Sequence, residues 1–259
     1  MKIALLIHKD YDFMFDLLDS LVPKLEKHHE ITGILCFPNK LTKYKGISIY
    51  QKYLEIFGLN VFLRLVWVSL TKRLSIVLNF LCGRKPYSTF KGLCDHFGIE
   101  KLDFQDPNDE VVVQWIRENQ IDVILQFAGY ILKEGIIQSP RVCILNKHAG
   151  LLPSNKGVYP IFWSLLFDEP IAVTLHKINE EIDDGEIVYQ KIYDRKNGWS
   201  VYEYYRAIYY ETPDLILESL DLVQKNSQKK LDHKNPPSYH SLPTPNDFEL
   251  FCKRGLKFV

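Results

Sequence analysis

A chain of 259 residues suffices for one substantial core with a small appendage. Its 32 Lys and Arg balance 32 Asp and Glu, so no net field marks it as a nucleic-acid binder or calls for an acidic partner. The five cysteines (Cys36, Cys82, Cys94, Cys143, Cys252) are odd in number and never spaced CxxC, which excludes a disulfide framework and a zinc site and fits a reducing, cytoplasmic compartment.

Residues 2–8, KIALLIH, form an apolar run of strand length, too short for the core of a signal peptide. Residues 11–27 place Phe13, Leu17, Leu18, Leu21 and Leu25 at helical spacing, and ITGILCF (31–37) reads as a second buried strand. Strand, helix and strand with short joints open a parallel α/β sheet.

An insertion over residues 44–85 interrupts this pattern. Residues 56–94 contain Arg64, Lys72, Arg73, Arg84, Lys85 and Lys91 but not one Asp or Glu. Helical spacing puts Phe62, Val66, Leu70, Leu74, Val77 and Leu81 on one face and Arg64, Thr71, Ser75 and Asn79 on the other. The charges at 64, 72 and 73 break the run below spanning length. Residues 56–82 therefore read in three ways: helices packed on the sheet or on a second subunit of a homodimer, a basic amphipathic element on a membrane surface, or a basic lip for an anionic substrate.

The alternation then resumes. Residues 87–99 read as a helix, EKLDF (100–104) as a short strand, and 109–120 as a helix with Asp106 or Asn108 as its cap. IDVILQF (121–127) and RVCILN (141–146) are two more buried strands. YPIFWSLLF (159–167) is helical, and IAVTLHKI (171–178) and EIVYQKIY (186–193) form an antiparallel pair around NEEIDDG. Residues 200–225 are helical with a break expected near Pro213, and the Pro-rich tail from Asn235 ends in a short helix. The whole predicts a Rossmann-like α/β fold, mostly parallel, with helices on both faces, a helical insertion after the second strand and a C-terminal extension. Ligands of such sheets sit beyond the carboxyl ends of the strands, here QFAGYIL and NKHAG.

Three polar residues fall there or just after: Asn146, His148 and Asp183. Singly, each has an ordinary structural reading. Together, NKHAGLLPSNKG, the later VTLH and then DDGEI, preceded by FAGYIL, resemble the formyltransferase family that uses 10-formyltetrahydrofolate as donor. The resemblance is close over about residues 120–195. It implies catalytic roles for Asn146, His148 and Asp183, with Asp184 as the adjacent turn residue. It also implies donor binding by the backbone of Gly129, Tyr130, Ile131 and Leu132 and of the turn through Glu181, Ile182 and Asp183. Lys156 and Tyr159, on the loop after His148, are candidates for binding the acceptor, and His176 reads as structural. One departure is Ala149-Gly150, where the family commonly has Pro-Ser.

These residue types suit the chemistry. A primary amine must lose a proton to attack the formyl carbon, and negative charge grows on the formyl oxygen. Asn146 and a protonated His148 could donate to that oxygen. Asp183 would raise the imidazole pKa or accept the amine proton. No metal is required. The boundary is expected at residue 195, with 196–259 packed on the catalytic domain.

Among acceptors, an amino sugar linked to a nucleotide or lipid fits best, with no nucleic-acid partner. Methionyl-tRNA formylation resembles this region but involves a further C-terminal domain. The glycinamide ribonucleotide enzyme has a Gly-rich phosphate loop where this chain has HKDYDF. A hydrolase releasing formate from the same donor remains an alternative, though it usually carries a domain in front of this one. The cytoplasm is the expected location, with the inner face of the membrane as the alternative if residues 56–82 touch lipid.

Overall fold

The computed structural model describes residues 1–41, 43–233 and 235–259. In chain order the elements are β1 (Lys2–His8), α1 (Met14–Leu25), β2 (Glu30–Phe37), the two-residue strands β3 (Lys40–Leu41) and β4 (Tyr44–Lys45), α2 (Ile47–Leu81), α3 (Phe90–Phe97), β5 (Lys101–Asp103), α4 (Glu110–Glu118), β6 (Val123–Gln126) and α5 (Glu134–Ile137). Then come β7 (Cys143–His148), β8 (Lys156–Gly157), α6 (Pro160–Leu166), β9 (Ile171–Lys177), β10 (Ile187–Tyr193), α7 (Val201–Gln224), β11 (Tyr239–His240) and α8 (Pro245–Lys253). The main sheet has the order β10-β9-β7-β6-β1-β2-β5. This is the mixed, mostly parallel Rossmann-like arrangement that the sequence predicts.

Two compact units make up the chain, Met1–Tyr50 with Leu63–Ile144, and Gln51–Phe62 with Leu145–Val259. They do not follow the motif-based boundary at residue 195. In the first unit, β1 pairs in parallel with β2 and with β6, and β2 with β5. Ile3 through Ile7 are wholly buried, which is why β1 is an unbroken apolar run rather than an alternating one. Thr89 caps α3 by accepting from the Gly92 N–H, and α3 stops at left-handed Gly98. Helix α4 is preceded by Asp109, whereas Asp106 accepts from the Asn108 N–H in the loop before it. The cap expected at 106 or 108 is thus a turn instead.

In the second unit, β9 pairs antiparallel with β10 and with β7. Helix α7 opens on a capping box between Ser200 and Glu203. It runs unbroken through Pro213, contrary to the expected interruption. Pro213 and its neighbours Thr212, Leu215 and Ile216 are buried, so tertiary packing outweighs the one hydrogen bond that proline removes. Helix α8 repeats the capping box with Thr244 and Asp247. The tail is anchored by Phe251, which is fully buried and stacks on Phe162 at 4.5 Å between ring centroids.

Candidate active site

Strand β7 extends three residues further than its apolar run, so Asn146 and His148 are strand residues. Register pairs Asn146 with His176 and His148 with Thr174 on β9. The two-residue period puts all four side chains on one face. The Asn146 amide Nδ2 lies 3.0 Å from His176 Nε2. His176 Nδ1 donates to the Lys177 carbonyl at 3.0 Å. In the tautomer with its proton on Nδ1, Nε2 accepts from Asn146, and Asn146 keeps its second N–H for another acceptor. The sequence reading made His176 structural; it is 3.6 Å from Asp183 as well and belongs to the cluster. Its signal was the register of VTLH against NKH, which needs strand pairing to be read.

His148 is 6% exposed, and its Nε2 donates to the Asn155 carbonyl at 2.8 Å. The Nδ1 atom faces Asp183 Oδ2 at 3.4 Å. Burial lowers the His148 pKa below the ordinary imidazole value, and Asp183 only partly offsets it. Burial also opposes ionisation of Asp183, yet His148, His176 and the Gly157 N–H outweigh it and hold the carboxyl down to about 2. At neutral pH the pair is therefore a neutral imidazole beside a carboxylate. The expectation that Asp183 keeps His148 cationic is corrected, because desolvation wins. With Nε2–H committed to Asn155, Nδ1 presents a lone pair toward an anion and is a ready proton acceptor.

Both shifts leave the folded chain holding fewer protons than the unfolded one. Stability therefore falls with acid, beginning as pH drops through 6.5 for His148 and between 3.8 and about 2 for Asp183. Thermal melts from pH 8 to pH 3 should show this decline, and Asp183→Asn should remove the part below pH 4.

The loop after β7 explains Ala149-Gly150. A Cβ on Gly150 would stand 2.9 Å from His148 Nε2 and 3.0 Å from Pro160 Cβ, so the glycine leaves room for the imidazole to reach Asn155. Thr174 Oγ1 donates to the Gly150 carbonyl at 2.7 Å and pins this loop to β9. The Gly157 N–H donates to Asp183 Oδ2 at 2.8 Å. On the opposite face of β7, Lys147 places its ammonium over the Tyr209 ring, and burial pushes its pKa down to about 7.

The other expected residues are spread more widely. Lys156 pairs with Asp184. The Tyr159 hydroxyl donates to Tyr53 at 2.8 Å. Glu181 and Ile182 are exposed in the turn before Asp183. A cleft of about 330 Å³ opens beside that turn, lined by Leu152, Pro153, Asp183, Gly185 and Lys230 among others. Gly129, Tyr130, Ile131 and Leu132 lie in the first unit. There Tyr130 and Leu132 are buried, and the Tyr130 hydroxyl donates to the Pro38 carbonyl at 2.9 Å. Ile131 is exposed. A Cβ on Gly129 would meet the Lys40 carbonyl oxygen at 3.0 Å, so the approach that this glycine permits is taken by the chain's own backbone.

The formyl transferase family profile matches residues 84–220. Among curated relatives, the methionyl-tRNA formyltransferase of Bacteroides thetaiotaomicron is 27% identical over 172 residues, covering 64% of this chain and 52% of that one. That of Lachnospira eligens is 35% identical over 111 residues, 41% of this chain and 35% of its own. The chain thus spans about half the length of the first of these relatives and less of the second. Among solved structures, a sugar N-formyltransferase from Shewanella superposes with a TM-score of 0.56 at 19% identity, covering 97% of this chain and 80% of its own. Glycinamide ribonucleotide transformylase 1 from Symbiobacterium toebii gives 0.58 at 14% identity, covering 87% and 88%. At these identities the likeness is one of fold. The profile match, over more than half of the chain and across Asn146, His148 and Asp183, makes this protein a member of the formyl transferase family.

Proposed function

We propose that this chain transfers a formyl group from 10-formyltetrahydrofolate to a primary amine, and that the amine belongs to an amino sugar carried by a nucleotide or a lipid. The observation that carries the reading is the Asn146, His148, His176 and Asp183 cluster, in which a buried neutral imidazole stands one proton short beside a carboxylate. In the transfer the amine nitrogen bonds to the formyl carbon, and the bond from that carbon to the donor nitrogen breaks. One amine proton leaves, and the departing donor nitrogen gains one.

His148 Nδ1 takes the amine proton, and Asp183 stabilises the imidazolium that results. The same proton is then available to the leaving nitrogen. Asn146 aims its second N–H at the formyl oxygen, a donor whose loss typically costs about 3 kcal/mol of barrier. In the second unit the donor would be held by the backbone of the Glu181–Ile182 turn beside Asp183. The exposed Ile182 side chain suits the face of an aromatic ring system. Lys156 pairs with Asp184 and Tyr159 donates to Tyr53, and they keep further N–H donors and an acceptor lone pair for the acceptor substrate.

Two features support the sugar reading over the others. The segment after β1 carries Asp10 and Asp12 and no glycine, an unfavourable setting for a phosphate cradle. The balanced charge offers no basic platform for a tRNA. Methionyl-tRNA remains the second reading, because the sequence relatives carry that name. A panel of amino-sugar nucleotides incubated with 10-formyltetrahydrofolate tests the proposal. Tetrahydrofolate should appear only when an amine is present; formate release without amine would indicate a hydrolase, and turnover with methionyl-tRNA alone would replace the sugar.

A further inference from the structure

Helix α2 is broken at Gly58, whose φ of 74° and ψ of 170° are non-helical. Beyond it, the part of the helix that belongs to the first unit starts at Leu63. Leu63, Trp67, Leu70, Leu74, Leu78 and Leu81 recur every three or four residues on its outer side, and each is between 49% and 70% exposed. This stripe differs in phase from the face expected from the sequence: Leu70, Leu74 and Leu81 are shared, but Phe62, Val66 and Val77 turn partly inward. At 1.5 Å per residue it runs for about 27 Å. Soluble surfaces rarely leave a contiguous apolar patch larger than a few hundred Å².

The inner side of the same segment is already engaged. Lys72 pairs with Asp16, and the Arg73 guanidinium lies 3.5 Å from the centroid of the Tyr11 ring. Ile76 is buried. Just beyond the helix, Lys85 pairs with Asp19 at 2.7 Å. These contacts tie α2 and the turn after it to α1 and the loop before it, and would be lost if the helix crossed a bilayer. By length and composition alone it could cross one, contrary to the expectation that its charges hold it below spanning length. A helix with apolar residues on both sides and only one side covered has room for a second partner.

We propose that this outer stripe docks on the surface of an anionic lipid bilayer. Charge selects that occupant. No Asp or Glu occurs from Ile56 to Cys94. Arg64 borders the stripe and Arg84 follows its end; both are exposed, and neither has a carboxylate partner among the described residues. A second copy docked stripe to stripe would offer these arginines no acid. An anionic leaflet offers apolar depth for the leucines, an interface for Trp67 and headgroup charge for the arginines.

Flotation of the full chain with vesicles tests this, using phosphatidylcholine mixed with phosphatidylglycerol against phosphatidylcholine alone. The protein should float with the anionic vesicles and be released by high salt. Arg64→Gln with Arg84→Gln should weaken partitioning about tenfold or more, since each cation contributes on the order of 1 kcal/mol. Leu70→Glu with Leu74→Glu should abolish it, with an unchanged thermal melt showing that the fold survives. No flotation with either vesicle would overturn the proposal. If sedimentation then showed a dimer that the Leu70→Glu, Leu74→Glu variant dissociates, the stripe would belong to a second copy.

Discussion

His148→Ala is expected to lower formyl transfer by roughly 10²- to 10⁴-fold while lowering the melting temperature by no more than about 12 °C. The imidazole is the group that combines burial, a carboxylate at 3.4 Å and a fixed Nε2–H. Its removal takes away the proton acceptor and the partner that helps to keep Asp183 ionised. Alanine at this site leaves a small cavity and an Asn155 carbonyl without its donor. Those losses bear on stability by about 1–3 kcal/mol and reduce the folded fraction, whereas the barrier change of about 3–5 kcal/mol expected for transfer acts on every folded molecule. Steady-state turnover beside a denaturant melt separates the two effects. Turnover within threefold of the parent would remove His148 from the chemistry.

Gly185→Ala should be the most damaging backbone substitution. A Cβ there would stand 1.7 Å from the Lys177 carbonyl oxygen. Neither group can move alone, because Lys177 N donates to the Glu186 carbonyl at 2.8 Å across the same turn. This turn carries Asp183, so relieving the clash displaces the carboxylate from His148 and His176. A destabilisation of about 2–4 kcal/mol is expected, with transfer falling by more than the lost folded fraction accounts for. Gly135→Ala is the control, since nothing lies within 4 Å of a Cβ at that position. Comparable losses in the two variants would show that the turn is not rigidly set.

Much of this architecture is readable from the sequence, for a physical reason. The strands of a parallel sheet are buried on both faces, so β1 and β6 appear as unbroken apolar runs between amphipathic helices. Asn146, His148 and Asp183 are readable because three separated motifs occur in order. What escaped depends on the third dimension. Only the pairing of β7 with β9 reveals that His176 lies against Asn146. The charge state of His148 turns on burial, which no spacing encodes. Pro213 reads as a break until the packing around it is seen. The outward phase of α2 is hidden because its sequence is apolar on both sides.

The most direct measurement follows an isotopically labelled formyl carbon from 10-formyltetrahydrofolate in the presence of amino-sugar nucleotides. The label is expected in a new amide on the sugar nitrogen with the parent chain, and at a level lower by about 10²-fold or more with Asp183→Asn. Label recovered only as free formate, at the same rate with and without amine, would contradict formyl transfer.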